Sequence, residues 1–218
     1  AKPVVYLSQG FGPVRGTLWR YLTVETLRAA RIFVARDEET AGFLRSQGIP
    51  NVELASDLSW LAPVPPINPS SGSKIAIVPY ATHLPPREII GEEGILISVE
   101  KHSSSQIYAF SRRHDVPWMP ATTLNEWMAA MAGVRLVVSE RFHPLVLAIM
   151  ASIPVIAIGI DPKIRSLALH LSLCWYPDYS ALPRRLREMF PPLPSSDKLI
   201  AVKTQAMRNL ELLDDVTR

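Results

Sequence analysis

The chain has 218 residues, room for one large or two small domains, and its 48% hydrophobic against 20% charged residues give a globular balance with material for a core. A net charge of +3 and a pI near 9.1 suit an acidic small ligand or an anionic membrane surface. They argue against nucleic acid as a partner, because neither a basic run nor an aromatic RNA-binding motif accompanies the charge.

Residues 3–8 are predicted as a buried strand, with Gln9-Gly10-Phe11-Gly12-Pro13 as its turn. Gly10 and Gly12 permit a sharp bend or a close approach of backbone to ligand, an ordinary strand-to-helix turn being the alternative. A strand placed so near Ala1, with no Met before it, leads us to expect an upstream part that is not included. Residues 17–30 carry Leu18, Tyr21, Leu22, Val24 and Leu27 as a helical apolar stripe. A strand over 31–35 follows, then Arg36 and Asp37 at its exit. Asp37 is expected to N-cap a helix over 38–47 that stops at Gly48. Arg36, just before that cap, is placed to point across a cleft. A short strand over 52–55 precedes Asp57. Residues 62–73, APVPPINPSSGS, hold too many prolines for regular structure and are read as a linker. The expected domains are therefore 1–62, a linker at 63–73, and 74–218.

The strand–helix pattern then restarts. Strands are predicted at 74–78 and 95–99, separated by the polar segment 82–94, and helices at 103–113 and 122–132. The stretch from Val134 to Ile164 organises the second half. Its two β-branched runs, 136–138 and 155–160, read as parallel strands joined by an apolar helix over 144–152 that ends before Pro154. Ser139, Glu140, Arg141 and His143 lie just after the first strand. Asp161, as N-cap, Pro162 and Lys163 lie just after the second. Ligands of open α/β sheets bind at such strand exits, and helix N-termini favour anions. Arg141, His143 and Lys163 thus suggest a pocket for phosphate or carboxylate, the alternative being helix caps and solubilising loop charge. Cys174, the one cysteine, lies in an apolar stretch with no disulfide or metal framework and fits a reducing, cytoplasmic setting. A strand over 173–176 and helices over 182–190 and 197–214 close the chain. No apolar run approaches the ~18 residues of a membrane span and no secretory signal is visible. Contact is expected, at most, at the inner membrane face. Alternating strands and helices on both sides of the linker predict an α/β fold of two Rossmann-like halves in a GT-B-type arrangement, the first half truncated.

Several segments, taken in order, resemble one family. Ser8-Gln9-Gly10-Phe11-Gly12-Pro13, Val34-Ala35-Arg36-Asp37-Glu38-Glu39-Thr40, Ala55-Ser56-Asp57-Leu58-Ser59-Trp60, Glu140-Arg141-Phe142-His143-Pro144 and the run from Ile153 through Asp161-Pro162-Lys163 are similar to segments of the polysaccharide pyruvyltransferases. The resemblance also implies the GT-B-type arrangement. It implies transfer of pyruvate from phosphoenolpyruvate to a glycan or lipid-linked sugar, closing a cyclic ketal, with no separate cofactor. On that chemistry His143 is the expected general acid or base. Arg141 and Lys163 are expected to hold phosphate or carboxylate, with Arg36 contributing from the other domain. Glu140 is read as an exposed rim residue, the alternative being a second acid–base group, and His83, His102, His114 and His170 as surface or core histidines without convergent partners. The family often places a basic residue soon after the strand corresponding to 74–78, and this chain departs from that, its exit reading Pro79-Tyr80-Ala81-Thr82-His83 with Arg87 only later. Two other readings stay open: a GT-B glycosyltransferase using a nucleotide-sugar, with Glu100 as a ribose-binding carboxylate, and a non-catalytic anion- or partner-binding domain.

Overall fold

Parallel strands need helical crossovers, and nearly every crossover expected from the sequence forms in the computed structural model, which describes residues 4–10, 16–69, 72–183 and 186–217, the side chains of Ser103, Arg187 and Thr217 excepted. The chain divides into two units, residues 1–62 with 196–218, and residues 63–195. Both are α/β with parallel sheets.

The first unit holds β1 (Val5–Gln9), α1 (Thr17–Arg28), β2 (Ile32–Ala35), α2 (Glu38–Ser46) and β3 (Val52–Leu54), with sheet order β1-β2-β3. Asp37 caps α2 as expected, its carboxylate accepting from the Thr40 N–H at 2.7 Å. Side chains of β2 alternate between the sheet's two faces. Phe33 and Ala35 pack with Val24 and Leu27 of α1 and with Ala41 and Leu44 of α2. Ile32 and Val34 pack with Ala55, Leu212 and Val216. The last two belong to the closing helix, Ser196–Thr217. Arg208 pairs with Glu53 at 2.9 Å, and the Asn209 side-chain amide donates to the Ser56 carbonyl at 2.9 Å. The expected domain 74–218 is therefore corrected: its last helix covers the second face of the first sheet, which would otherwise be wet. Periodicity showed that helix to be amphipathic but not which sheet it serves. In α1 the expected stripe is only partly buried. Val24 and Leu27 are inside, whereas Leu18, Tyr21 and Leu22 are exposed.

The second unit holds β4 (Lys74–Val78), α3 (Arg87–Ile90), β5 (Gly94–Ser98), α4 (Lys101–His114), β6 (Trp118–Pro120), α5 (Leu124–Ala130), β7 (Val134–Ser139), α6 (Phe142–Met150), β8 (Val155–Ile158), α7 (Pro162–Leu171) and β9 (Cys174–Tyr176). Its six-stranded sheet runs β6-β5-β4-β7-β8-β9. Helices cover a parallel sheet, which is why β7 and β8 read as continuous apolar runs. Ile75, Ile77, Leu96, Leu136, Val138, Ile156 and Ile158 form the core of one face. Thr123 and Glu126 form a capping box at the start of α5. β6 was not expected, being three residues long and bounded by prolines. Among the described residues of 182–190 the expected α-helix is not formed. Short 3-10 turns stand at Tyr179–Ala181 and Leu186–Glu188, where Pro183 and Pro191 leave too little uninterrupted chain for an α-helix.

Candidate functional site

The strand order places the reversal of chain direction between β4 and β7: β5 and β6 lie to one side of β4, β8 and β9 beyond β7. This is the Rossmann order, and the crevice outside the carboxyl ends of the two central strands is its usual ligand site. Val78 and Ser139 are register partners there, so the segments that follow them face each other.

Two charged groups, Glu140 and Arg141, tie those segments together. The Glu140 carboxylate accepts from the Tyr80 N–H at 2.8 Å and from the Tyr179 hydroxyl at 3.4 Å. Arg141 reaches across to Glu100 after β5, engaging both carboxylate oxygens, with Nη2 to Oε2 at 2.8 Å. Its guanidinium also lies over the Tyr80 ring, 3.7 Å from the centroid. Glu100 is N-cap to α4 but makes no side-chain cap bond, which leaves its carboxylate to Arg141. Arg141 itself caps α6 by position only, and its main-chain N–H donates to Ser139 Oγ at 2.9 Å. The Arg141 Nε–H is buried, with no acceptor among the described residues.

Burial sets the electrostatics. Glu140 is 5% exposed, and desolvation pushes its carboxyl above the usual range. The Tyr80 N–H, His83, Tyr179 and Arg141 pull the other way. Tyr179 is raised well above the ordinary phenol, first by burial and then by the neighbouring Glu140, so it stays protonated and donates. Tyr80 is raised by burial, opposed by Arg141 and reinforced by Asp161 and Glu100. The exits of β4, β5, β7 and β8 therefore act on one another within a single neighbourhood.

His143 is the second residue of α6 and is exposed. Pro144 occupies the first turn, where its missing N–H costs nothing. Asp161 caps α7, accepting from the Lys163 N–H at 2.9 Å, with Pro162 at the first helical position. Arg141, His143 and Lys163 thus stand at the starts of two adjacent helices following adjacent strands. Arg36 lies in the first unit. Its Nη1 donates to Asp57 Oδ2 at 2.9 Å, with only 13% of its side chain exposed. Gly10 leaves room for that side chain, because a Cβ there would stand 2.6 Å from Arg36 Nε. Within this unit the close approach is to Arg36. Gly12 lies outside the described residues.

Two expectations are corrected. Glu140 is buried, not a rim residue. His83 has a partner: its Nδ1 lies 3.6 Å from Glu140 Oε1. Tyr80 and Tyr179 were not singled out as site residues, and Glu100 was considered only as a ribose-binding carboxylate. The available signal was the position of Tyr80, just beyond the first strand of the second half, which a Rossmann order brings beside the Arg141 strand. Among the described residues no group of three His, Cys, Asp or Glu side chains is arranged to hold a metal, and no helix is long and apolar enough to cross a membrane.

Solved structures similar to this chain include UDP-GlcNAc 2-epimerase from Neisseria meningitidis bound to UDP-GlcNAc. It is 12% identical with a TM-score of 0.47, over 98% of this chain and 63% of that one. The wall teichoic acid polymerase TagF is 9% identical with a TM-score of 0.48, over 99% of this chain and 66% of that one. The chain thus spans just under two thirds of their length. No curated protein matches it. A sequence profile, that of polysaccharide pyruvyl transferase, matches residues 1–162, a span holding the glycine-containing segment 8–13, the Arg36-Asp37 pair and the switch-point segment through His143. With most of its length matched in this way, the chain belongs to the polysaccharide pyruvyl transferase family.

Proposed function

We propose that the protein transfers pyruvate from phosphoenolpyruvate to two hydroxyls of a glycan or lipid-linked sugar, forming a cyclic ketal and releasing phosphate. The observation that carries this reading is the switch point of the second unit. There an arginine with one buried, unaccepted N–H and the starts of two helices bearing His143 and Lys163 meet at adjacent strand exits in a chain of this family. The donor carries a phosphate and a carboxylate, and such groups are bound by helix N–H groups and by cations. Arg141 offers a planar fork and Lys163 a point charge.

The reaction balances without a redox partner. The methylene carbon gains a proton and the adjacent carbon, which carries the phosphate oxygen, is attacked by the first hydroxyl. Phosphate leaves with the carbon–oxygen electron pair, and the second hydroxyl closes the ring. Of the two hydroxyl protons, one ends on the new methyl group and the other on phosphate. His143, exposed at the site, is suited to accept a hydroxyl proton and hand it to the leaving phosphate.

A nucleotide-sugar reading would ask Glu100 to hold a ribose. Its carboxylate is instead occupied on both oxygens by Arg141, which favours the pyruvyl reading. The test is titration calorimetry with phosphoenolpyruvate and with a nucleoside diphosphate-sugar, followed by incubation with phosphoenolpyruvate and glycan acceptors. The expected results are tighter binding of phosphoenolpyruvate and a new ketal methyl signal by NMR. Tighter binding of the nucleotide would overturn the reading.

A further inference from the structure

Among the described residues of the second unit, Glu140 is the only buried acidic side chain. A carboxylate taken out of water is costly unless its oxygens are satisfied. Oε2 is satisfied by the Tyr80 N–H and the Tyr179 hydroxyl. Oε1 faces His83 Nδ1 at 3.6 Å. The His83 side chain is otherwise 68% exposed, and it meets the Tyr80 ring edge-on. The charged and titratable groups facing Glu140 are Tyr80 and His83 from the segment after β4, Arg141 beside it in sequence, and Tyr179. Those facing His83 are Glu140 and Tyr80.

We propose that His83 and Glu140 form a carboxylate–imidazole dyad, in which buried Glu140 holds Nδ1–H of His83 and Nε2 exchanges a proton with the substrate. A buried carboxylate behind Nδ1 fixes the tautomer and orientation of an imidazole and stabilises its protonated form, leaving Nε2 to act. Glu140 is then a positioning residue and His83 the catalytic acid–base group.

The inference rests on the pyruvyl-transfer reading, and that reaction needs two proton carriers. At the moment of attack the methylene carbon must receive a proton while a hydroxyl loses one, so the two carriers start in opposite states. Nε2–H of protonated His83 gives its proton to the methylene carbon as the double-bond electrons form the new C–H bond. His143 takes the first hydroxyl proton and passes it to phosphate as the C–O bond breaks. The second hydroxyl proton returns to His83 Nε2 on ring closure, and Glu140 keeps its charge throughout.

Two measurements on the 218-residue chain test this. The first does not depend on turnover: carbon-detected NMR titration of the Glu140 carboxyl in wild type, His83→Gln and His143→Gln. Loss of His83 should raise the Glu140 midpoint further and loss of His143 should leave it, whereas a Glu140 midpoint indifferent to His83→Gln would abolish the dyad. The second follows ketal formation. His83→Ala should lower kcat by roughly 10²–10⁴-fold, the usual worth of acid–base catalysis, and free imidazole should restore part of it at this exposed position. Glu140→Gln should displace the pH profile of kcat while phosphoenolpyruvate affinity stays near wild type. A His83→Ala protein with wild-type kcat and an unchanged pH profile would overturn the proposal. If the wild-type chain makes no ketal, the functional reading falls and the carboxyl titration alone decides the pairing.

Discussion

Arg36 and Asp57 sit side by side with 13% and 7% of their side chains exposed, and Asp57 also accepts from the Ser59 N–H at 2.9 Å. Asp37 stays 3.8 Å from Arg36 when Asp57 is removed, so the loss is that of the buried Arg36 and Ser59 hydrogen bonds, and Asp57→Ala should cost about 1–3 kcal/mol, read from the urea midpoint of the first unit. Little or no loss would show that water already satisfies Arg36. Glu140 gives a second prediction, with the opposite sign from an ordinary salt-bridged carboxylate. Its folded-state pKa lies above its unfolded one, so the native state binds more protons in that window. The stability it contributes is whole below the unfolded pKa and is lost as pH rises through the folded one. In Glu140→Gln that slope should vanish from thermal melts taken across the window. The placement of Arg141, His143 and Lys163 at helix starts was legible, because the signals that open a helix are local. The burial of Glu140 was not legible, because it depends on Tyr80 and Tyr179, 60 and 39 residues away.

The helices and strands that matter for the site start where their local chemistry says they should. Asp161 and Pro162 open α7, Thr123 and Glu126 open α5, β8 is apolar throughout, and β7 carries the apolar run Leu136, Val137 and Val138. What local chemistry does not give is the partner across the crevice. The place of Arg141 before α6 was legible, yet its bidentate contact with Glu100 depends on β5 and β7 flanking β4 on opposite sides. That contact has a consequence for binding. The Glu100 side chain is half exposed, and it occupies the same guanidinium face that an anionic donor would use. A half-exposed ion pair is worth about 0.2–1 kcal/mol, so releasing it in Glu100→Gln should tighten inorganic phosphate binding by roughly 1.5- to 5-fold. Calorimetric titration of both proteins with phosphate measures this directly. Weaker binding in Glu100→Gln would mean that Glu100 holds Arg141 in place for the ligand and does not compete with it.

The division of the chain is not the division of the sequence into a first and a second half, and this yields the last prediction. Residues 63–195 contain all six strands of the larger sheet and its crossover helices, α3 to α7, between one boundary and the next. The smaller sheet, by contrast, is assembled from both ends of the chain. α1 and α2 cover one face through Val24, Leu27, Ala41 and Leu44, whereas the other face, carrying Ile32 and Val34, depends on Leu212 and Val216 of the closing helix. A three-stranded sheet with one apolar face in water lacks the burial that such small units need. A chain trimmed to residues 63–195 should therefore fold cooperatively, with a single thermal transition and native amide dispersion. A chain ending at Ser195 should keep that transition and lose protection in β1 to β3, seen as rapid hydrogen exchange at Phe33, Val34 and Ala35. Isolated residues 1–62 should be unfolded and should gain structure when residues 196–218 are added as a peptide. The driving contacts are few, and replacing Leu212 and Val216 together by Ala should remove about 3–6 kcal/mol from the first unit, a value set by the large-to-small cost of buried aliphatic side chains reduced for their partial exposure. If the chain ending at Ser195 retains slow exchange throughout β2, the closing helix is an accessory to the first sheet and its assignment to that unit is wrong.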